Sequence, residues 1–339
     1  MATLYVVEQG AELRCDGERI EVRRGEEILG SIPLVKLEDI VIIGNVGLTT
    51  PAIKRLLDRG VEVTFLTVEG RYHGRLVGQV TAHAALRRAQ YRRAEDAAWV
   101  LRQAQAYVTG KLRNQRALLR RFARNRATPP PEATSAADAL DLAIARVGRT
   151  TTLNALLGVE GSATARYFGG VRALLSPEWR FERRSRRPPA DPVNVLLSLG
   201  YTLLTHKMLG AVQAAGFDPY LGFLHQYDYG RPSLALDLIE EFRPLLVDSL
   251  VLRCCGDGRL TVADFAEGAD PARPVVLSDE GKRRFIAAFE ERMRTEATHP
   301  DGADGRPGKV TYLRCLELQA RRLARAVQRG EAYEPFAAR

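Results

Sequence analysis

The stretch from residue 12 to residue 22 reads ELRCDGERIEV, and apolar and polar side chains alternate on both sides of its Asp-Gly pair. Alternation with a period of two is typical of a β-strand with one buried face. The pair Asp16-Gly17 favours a type I′ turn, because both central positions of that turn require positive φ. The stretch therefore predicts a β-hairpin with strands over Glu12–Cys15 and Arg19–Arg23.

The same pattern extends from the hairpin through the first 80 residues. Short alternating runs separated by turn residues predict further strands over Thr3–Val7, Glu27–Pro33, Asp39–Ile43, Val61–Thr67 and Tyr72–Val77. One helix is predicted over Thr50–Arg59, where Thr49 or Thr50 caps the start and Gly60 ends it. This part of the chain predicts a small β-rich domain.

The pattern changes near Ala82, where helical spacing with many Ala, Leu and Arg residues begins and continues almost to the end. Three consecutive prolines in Ala127–Ala137 predict a surface connection, and the segments Cys255–Arg259 and Thr298–Gly308 predict two more. Because strands come first and helices second, we predict an α+β fold. It has a small β-rich domain over residues 1–80 and a larger all-α domain over residues 81–339.

Composition limits the class of protein. The longest apolar run, Leu245–Leu252, is interrupted by Asp248 and is far shorter than the roughly 20 residues that span a bilayer, so no membrane partner is expected. The first ten residues lack the features of a secretory signal, which predicts a cytoplasmic location. The four cysteines show no C-x-x-C spacing and predict neither zinc nor a disulfide framework.

Positive charge is concentrated rather than spread. The chain has a formal net charge of +9, and the segment Ala85–Arg126 alone holds twelve basic and two acidic residues. A second basic cluster begins at Arg180. Such clusters are typical of surfaces that bind phosphate backbones. The predicted DNA-binding residues are Arg113, Arg116, Arg120, Arg121, Arg124, Arg183, Arg184, Arg186 and Arg187.

A histidine precedes a helix that carries three acidic residues. His225 is followed by a glycine-containing stretch, and helical spacing resumes over Ser233–Phe242. There Asp237, Glu240 and Glu241 lie at i, i+3 and i+4, so that they can share one face. A metal site is one interpretation. A solvated acidic face beside a hydrogen-bonded core histidine is the other, and these residues alone leave both open.

Glu160 is a further candidate, because it stands between two glycines and is followed by small residues that let a ligand approach. Its ordinary interpretation is an acid at a helix start that complements the helix dipole. Two carboxylates and one imidazole would suit Mg²⁺ or Mn²⁺ better than structural zinc.

Four segments, in their order and spacing, resemble one known family over most of the chain. The four segments are Gly158–Ala163, Asp191–Leu204, Gly222–His225 and Ser233–Pro244. The β-rich start, the predicted helix Tyr312–Arg325 and the residues Tyr333–Phe336 are similar to it as well. The family is the CRISPR-associated endonuclease and integrase of the adaptation module, Cas1.

The resemblance implies roles for individual residues. Glu160, His225 and Glu240 match the family's metal ligands and would be catalytic, with Mg²⁺ or Mn²⁺ as cofactor. Asp237 is implied as a supporting or alternate ligand. Asn194 and Tyr201 match positions near the site, although helix packing with one polar contact explains them equally well.

The resemblance also implies an activity and partners. A divalent metal neutralises charge on phosphoryl oxygens and activates the attacking group. Attack by water cuts DNA, and attack by a 3′ hydroxyl joins two strands. The family's role is the insertion of fragments of foreign double-stranded DNA into the CRISPR array. It implies a homodimer formed through the β domain, and the partner protein Cas2.

Two alternatives come from other classes of protein. A basic DNA-binding scaffold without catalysis would also explain the charge, with merely solvated carboxylates. A joining enzyme of the tyrosine recombinase type would need an Arg/His/Arg/Tyr set, which the C-terminal part does not show.

Overall fold

The computed structural model describes residues 2–68, 70, 72–78, 83–185, 188–225, 228–303 and 305–337. The chain divides into two compact units, residues 1–81 and 82–339. The first unit is rich in strands and the second in helices. The predicted α+β class, with strands before helices, is confirmed.

The N-terminal unit consists of two four-stranded sheets, ordered β1-β5-β7-β8 and β4-β3-β2-β6, and one helix. Strands β1, β5 and β7 run parallel, while β8 is antiparallel to β7. Apolar residues from both sheets and from the helix share one core. The elements are β1 (Ala2–Val6), β2 (Glu12–Asp16), β3 (Arg19–Arg24), β4 (Glu27–Pro33), β5 (Leu37–Ile43), β6 (Gly47–Leu48), α1 (Thr50–Asp58), β7 (Glu62–Leu66) and β8 (Tyr72–Leu76).

The predicted hairpin is present, since β2 and β3 pair antiparallel and Asp16 lies opposite Arg19. Gly17 at the turn has φ +54°, but neither Asp16 nor Glu18 beside it has positive φ, so the predicted type I′ turn, which needs two such residues, was wrong. Thr49 caps α1 by accepting a hydrogen bond from the backbone N–H of Ala52. The sequence missed β6, because two residues are too few to show an alternation.

The C-terminal unit is built from nine α-helices and two β-hairpins within its described residues. A π-helix over Arg243–Asp248 joins α7 to α8. The helices are α2 (Ala84–Glu95), α3 (Ala97–Arg124), α4 (Pro131–Val147), α5 (Leu153–Ala173), α6 (Pro192–Ala214), α7 (Ser233–Ile239), α8 (Ser249–Gly256), α9 (Asp279–Arg294) and α10 (Tyr312–Arg329). The hairpins are β9 (Phe265–Glu267) with β10 (Val275–Leu277), and β11 (Glu296–Ala303) with β12 (Arg306–Thr311).

Two local predictions for this unit were wrong. Helix α4 starts at Pro131, inside the predicted connection 127–137, because a proline in the first helical turn needs no backbone donor. The segment Thr298–Gly308 is most of the β11–β12 hairpin rather than a plain connection, so the unit is helical but not all-α. Its glycines and acidic residues concealed strands that are fixed by the buried side chain of His299.

The helix α3 has 28 residues and packs against α4 and α5. At Gly170 of α5, an added Cβ would lie 2.8 Å from Cβ of Ala136 and 3.1 Å from a methyl group of Leu119. The three helices therefore approach closely at this glycine. This packing fixes α3 and α5 relative to each other, and both carry residues of the candidate site.

The most apolar helix is α6, not the run at 245–252. By length and composition α6 could cross a membrane, but 67% of its apolar stretch is buried inside the unit. Trp99, Tyr107 and Trp179, aromatic residues near the basic segments that could have stacked on DNA bases, are also buried, and this burial excludes such a role. Tyr91 remains 49% exposed.

Candidate metal centre

Glu160 lies in the middle of α5, well after its start at Leu153. Its alternative interpretation as a helix-start acid was therefore wrong. Glu240 directly follows α7. The packing of α5 and the end of α7 around α3 brings these two acids, which are far apart in the sequence, to the same lysine.

That lysine is Lys111 of α3, and 8% of its side chain is exposed. Its Nζ donates a hydrogen bond to Oε1 of Glu160 and lies 2.8 Å from Oε2 of Glu240. The other oxygen of Glu240 lies 2.7 Å from Nη1 of Arg243. Two carboxylates from different helices thus share one buried ammonium group.

Lys111 and Arg243 were not predicted as residues of the centre. Lys111 is one of the twelve basic residues of the segment Ala85–Arg126. A signal was present, because position 111 follows Tyr107 and Val108 at helical spacing on the apolar face of α3. A basic residue on an apolar stripe needs an acidic partner in the core.

His225 is fixed by Asp237, which is fully buried. Nδ1 of His225 lies 2.8 Å from Oδ1 of Asp237, which also accepts a hydrogen bond of 2.9 Å from the backbone N–H of His225. Oδ2 of Asp237 accepts the backbone N–H groups of Phe223 and Leu224. A histidine held in this way has Nε2 left for a metal or a substrate.

A close approach makes this arrangement possible. At Gly222 an added Cβ would lie 2.8 Å from Oδ2 of Asp237 and 2.9 Å from the backbone of Ser233. Only a glycine therefore lets the chain before His225 lie directly on the start of α7.

The three acids of the predicted shared face have separate surroundings. Asp237 points to His225, Glu240 to Lys111, and Glu241 to the hydroxyl of Tyr333. All three are buried, so the alternative of a solvated acidic face was wrong. The expectation of a common face was also wrong, because the regular helix ends at Ile239 and the chain turns there.

Charges around Glu240 keep it ionised. Burial alone would raise the pKa of Glu240, but the nearby charges of Arg243, Lys111 and His225 outweigh it and lower this pKa to about 2. Burial would lower the pKa of Lys111, yet Glu240 and Glu160 outweigh it and raise this pKa, so that Lys111 is charged.

The donor set fits a divalent cation in its chemistry. Carboxylate oxygens and an imidazole nitrogen are ligands of Mg²⁺ and Mn²⁺. Oε2 of Glu240 is buried and has no hydrogen bond of good geometry among the described residues, although the charged Nζ of Lys111 is near. The described part of the chain holds no preformed group of three His, Cys, Asp or Glu side chains that could hold a metal ion. The amine of Lys111 contacts both Glu160 and Glu240.

Asn194 and Tyr201 lie around this centre rather than in it. Asn194 donates to Asp191 and to the carbonyl of Arg183, and accepts from Arg184, so it holds the loop before α6. The ring of Tyr201 lies 4.7 Å from the guanidinium of Arg243. Because Arg243 also pairs with Glu240, it connects Tyr201 to this acid.

Asp248 is a buried acid that the sequence analysis noted only as an interruption of an apolar run. It accepts hydrogen bonds from Tyr201 at 2.6 Å and from Tyr167 at 2.7 Å. Burial raises the pKa of Asp248 to about 6, although both tyrosines act to lower it. In the sequence, the isolated position of Asp248 within an apolar run could have indicated that this acid is buried.

The predicted DNA-binding arginines fall into two groups. Arg183 and Arg184 lie in the loop that Asn194 holds, while Arg186 and Arg187 lie outside the described residues. The others lie on α3, where Arg116 and Arg120 pair with Asp141. Arg113, Arg121 and Arg124 have no carboxylate partner within the described parts of the chain.

A basic cleft of about 500 Å³ lies between α3, α4 and the π-helix. Its lining includes Arg116, Arg120, Arg121, Arg124 and Arg292, with Asp138 as its one acid. Burial and the charge of Arg253 lower the pKa of Arg121. None of the lining residues is Glu160, His225 or Glu240, so this basic cleft is separate from the acidic centre.

The fold and this acidic centre can now be compared with known proteins. Residues 4–291 match the family described as CRISPR associated protein Cas1. The CRISPR-associated endonuclease Cas1 3 of Thermus thermophilus is 38% identical over 343 residues, which cover 100% of this chain and 98% of that protein. The CRISPR-associated endonuclease Cas1 2 of Rhodospirillum rubrum is also 38% identical, over 98% and 97% of the two chains.

Among solved structures, a chain of a Cas6-RT-Cas1–Cas2 complex has a TM-score of 0.84 and 27% identity. The match covers 99% of this chain and 36% of that longer one. The family match and the two similar endonucleases place this chain in the class of CRISPR-associated endonucleases. This chain belongs to the Cas1 family.

Proposed function

We propose that this protein is a divalent-metal-dependent DNA endonuclease and integrase that inserts fragments of foreign double-stranded DNA into a CRISPR array. One observation carries the proposal. Glu160 and Glu240 converge on the buried ammonium group of Lys111, and Asp237, three residues before Glu240, holds His225. Membership of the Cas1 family supports the same activity.

Glu160, Glu240 and Nε2 of His225 would hold Mg²⁺ or Mn²⁺. When bound, such an ion neutralises charge on phosphoryl oxygens and activates the attacking hydroxyl. The protein's own groups prepare this site. Arg243 orients Glu240, Asp237 holds the imidazole with Nε2 available, and Lys111 keeps the two acids together before the ion binds.

The attacking group decides the outcome at such a centre. Attack by water hydrolyses a strand, and attack by a 3′ hydroxyl joins two strands with the same phosphoryl chemistry. The basic cleft and the arginines of α3 would hold the DNA backbone, because arginine pairs well with phosphate oxygens.

The proposed partners follow from the family. The name of the similar Cas6-RT-Cas1–Cas2 complex includes Cas2, and we propose that this chain also assembles with a Cas2 protein. We further propose a homodimer through the N-terminal unit and action in the cytoplasm, where the CRISPR array lies.

The direct test is a strand-joining assay with a labelled DNA fragment, a target that contains the CRISPR repeat, Cas2 and Mg²⁺ or Mn²⁺. Glu160→Gln, His225→Ala and Glu240→Gln should each reduce joining and cutting by roughly 100-fold or more. DNA binding, measured by fluorescence anisotropy, should be retained.

Glu280→Gln on α9 is the matched control, because that acid is exposed and pairs with Arg284, away from the centre. Its activity should equal that of the unmodified protein. Full activity in all three site variants would refute the metal centre. No metal-dependent cutting or joining in any form would instead favour the DNA-binding scaffold.

A further inference from the structure

The residues Tyr333–Phe336 follow α10 and pack directly behind the candidate metal centre. The segment has no helix or strand, yet Tyr333 and Phe336 are almost completely buried. Burial of this kind in an irregular segment means that its side chains and backbone are held by specific partners. Those partners are neighbours in sequence of Glu240 and Lys111.

The first partner is Glu241, the residue after Glu240. Its carboxylate accepts hydrogen bonds from the hydroxyl of Tyr333 at 2.6 Å, from Gln319 at 3.0 Å and from the backbone N–H of Phe336 at 2.7 Å. Two of these three donors belong to the C-terminal segment. The position of the backbone at Glu241 is thereby fixed by the segment.

The second partner is α3. Nδ2 of Asn114, three residues after Lys111, donates to the carbonyl oxygen of Glu241 at 2.7 Å and to that of Phe336 at 2.8 Å. The side chain of Asn114 thus connects α3 both to the backbone at Glu241 and to the segment Tyr333–Phe336.

The contact on the other side of Lys111 is made through a glycine. A Cβ added at Gly110 would lie 2.6 Å from Cβ of Pro335 and 3.3 Å from Cβ of Glu241. The backbone of α3 therefore lies directly against the segment at the residue before Lys111.

The ring of Phe336 anchors the end of the segment. It stacks on Phe242 with a centroid distance of 5.2 Å and on His299 with one of 5.8 Å. Phe242 is two residues after Glu240. Ring stacking and hydrogen bonds therefore act on the same short stretch, Glu240–Phe242.

From these contacts we propose that Tyr333–Phe336 is a positioning element of the metal centre. It holds the α3 backbone at Gly110 and the chain at Glu241 in fixed relation, so that Glu240 and Lys111 meet Glu160. The inference rests on the proposed function, because it assumes that this centre binds a divalent cation. Supporting groups around metal ligands commonly change affinity by tenfold or more.

The test is a Mn²⁺ titration of the full-length protein, in which electron paramagnetic resonance reports free Mn²⁺. Tyr333→Phe removes one hydroxyl that donates to Glu241, and Gly110→Ala forces a Cβ against Pro335. Each variant should bind Mn²⁺ with a Kd roughly tenfold higher, while circular dichroism and a cooperative thermal transition show a folded protein.

Two controls separate positioning from general stability. Tyr312→Phe removes another buried tyrosine hydroxyl near Phe336, but one that contacts Arg292 rather than Glu241. Glu334→Gln changes the same segment at an exposed side chain that pairs with Arg322. Both controls should keep the Mn²⁺ affinity of the unmodified protein, even if Tyr312→Phe lowers the melting temperature.

The outcomes are distinct. If the unmodified protein binds Mn²⁺ and folded Tyr333→Phe binds it equally well, the positioning role is refuted and the proposed function stands. If Tyr312→Phe weakens binding as much as Tyr333→Phe, the effect is general destabilisation and the positioning role is again refuted. If the unmodified protein binds no Mn²⁺, both the proposed function and the positioning role fail.

Discussion

Single buried charges define the centre, and each has a named partner. Lys111 joins Glu160 to Glu240, Asp237 holds His225, and Asp248 is held by two tyrosine hydroxyls. A buried charge without such partners is strongly unfavourable. These pairs therefore fix the side chains before any ligand binds.

Asp248 gives a prediction for stability against pH. Its pKa is raised by burial from 3.8 to about 6 in the folded protein. The stabilisation that protonated Asp248 contributes is complete below the unfolded pKa and is lost as pH rises through the folded one. Over about pH 4 to 7 the unmodified protein should lose up to about 3 kcal/mol relative to Asp248→Asn.

Urea unfolding of both proteins across this range measures the difference. The other acidic residues titrate in both proteins. Their contributions therefore cancel when the unfolding free energies of the unmodified protein and of Asp248→Asn are subtracted. A constant difference between the two proteins across the range would show that Asp248 keeps an ordinary pKa.

The sequence predicted some residues of the centre and missed others, for physical reasons. Glu160, His225 and Glu240 stand out because four segments in register resemble one family. Lys111 was missed because many other basic residues surround it in sequence, and only burial separates it from them. Tyr333 and Gly110 act through contacts with residues far away in the chain, which no local pattern contains.

At the scale of helices and strands, the local pattern of apolar and polar residues predicted an element well wherever that element was long and periodic. The β2–β3 hairpin and α1 lie almost where the sequence predicts them. The π-helix Arg243–Asp248 was not predicted, because its period differs from that of an α-helix. The β11–β12 hairpin was missed because its glycines and acidic residues interrupt the alternation of apolar and polar side chains.

Two adjacent glycines of α5 test the packing that positions Glu160. Gly170→Ala would place a Cβ 2.8 Å from Ala136 and should destabilise the protein by about 1–3 kcal/mol through overpacking. Gly169→Ala has nothing within 4 Å and should stabilise it by about 0.5–1 kcal/mol, because alanine is a better helix former.

Urea unfolding at fixed pH measures both changes in the same helix. The two substitutions differ only in the neighbours that the added methyl group meets. Equal stabilisation by both would mean that α3, α4 and α5 are packed more loosely at this point than the structure shows.

At the scale of the whole molecule, the basic cleft and the candidate metal centre are formed by different residues. The basic cleft contains none of Glu160, His225 and Glu240. We therefore expect DNA affinity and metal affinity to respond to different substitutions. A DNA-binding scaffold needs only the basic surface, whereas a metal-dependent enzyme needs the metal centre as well.

The arginines of α3 test the DNA surface. Replacing Arg113, Arg121 and Arg124 together by glutamine should weaken DNA binding. It should also reduce the slope of log K against log salt by up to about 0.9 for each phosphate that the variant no longer neutralises. Anisotropy titrations at several salt concentrations give the slope.

The matched control replaces Arg14, Arg59 and Arg284 by glutamine, since each of these exposed arginines already pairs with an acid. Its salt slope should stay near that of the unmodified protein. An unchanged slope in the α3 variant would remove these arginines from the DNA surface.

The central claim is that Glu160 and Glu240, brought together around Lys111, form a divalent-metal site. The most direct measurement is Mn²⁺ binding by the unmodified protein, Glu160→Gln, Glu240→Gln and the exposed control Glu280→Gln, with free Mn²⁺ followed by electron paramagnetic resonance. We predict binding by the unmodified protein and the control, and at least roughly tenfold weaker binding by each site variant. Equal Mn²⁺ affinity in all four proteins would contradict the claim.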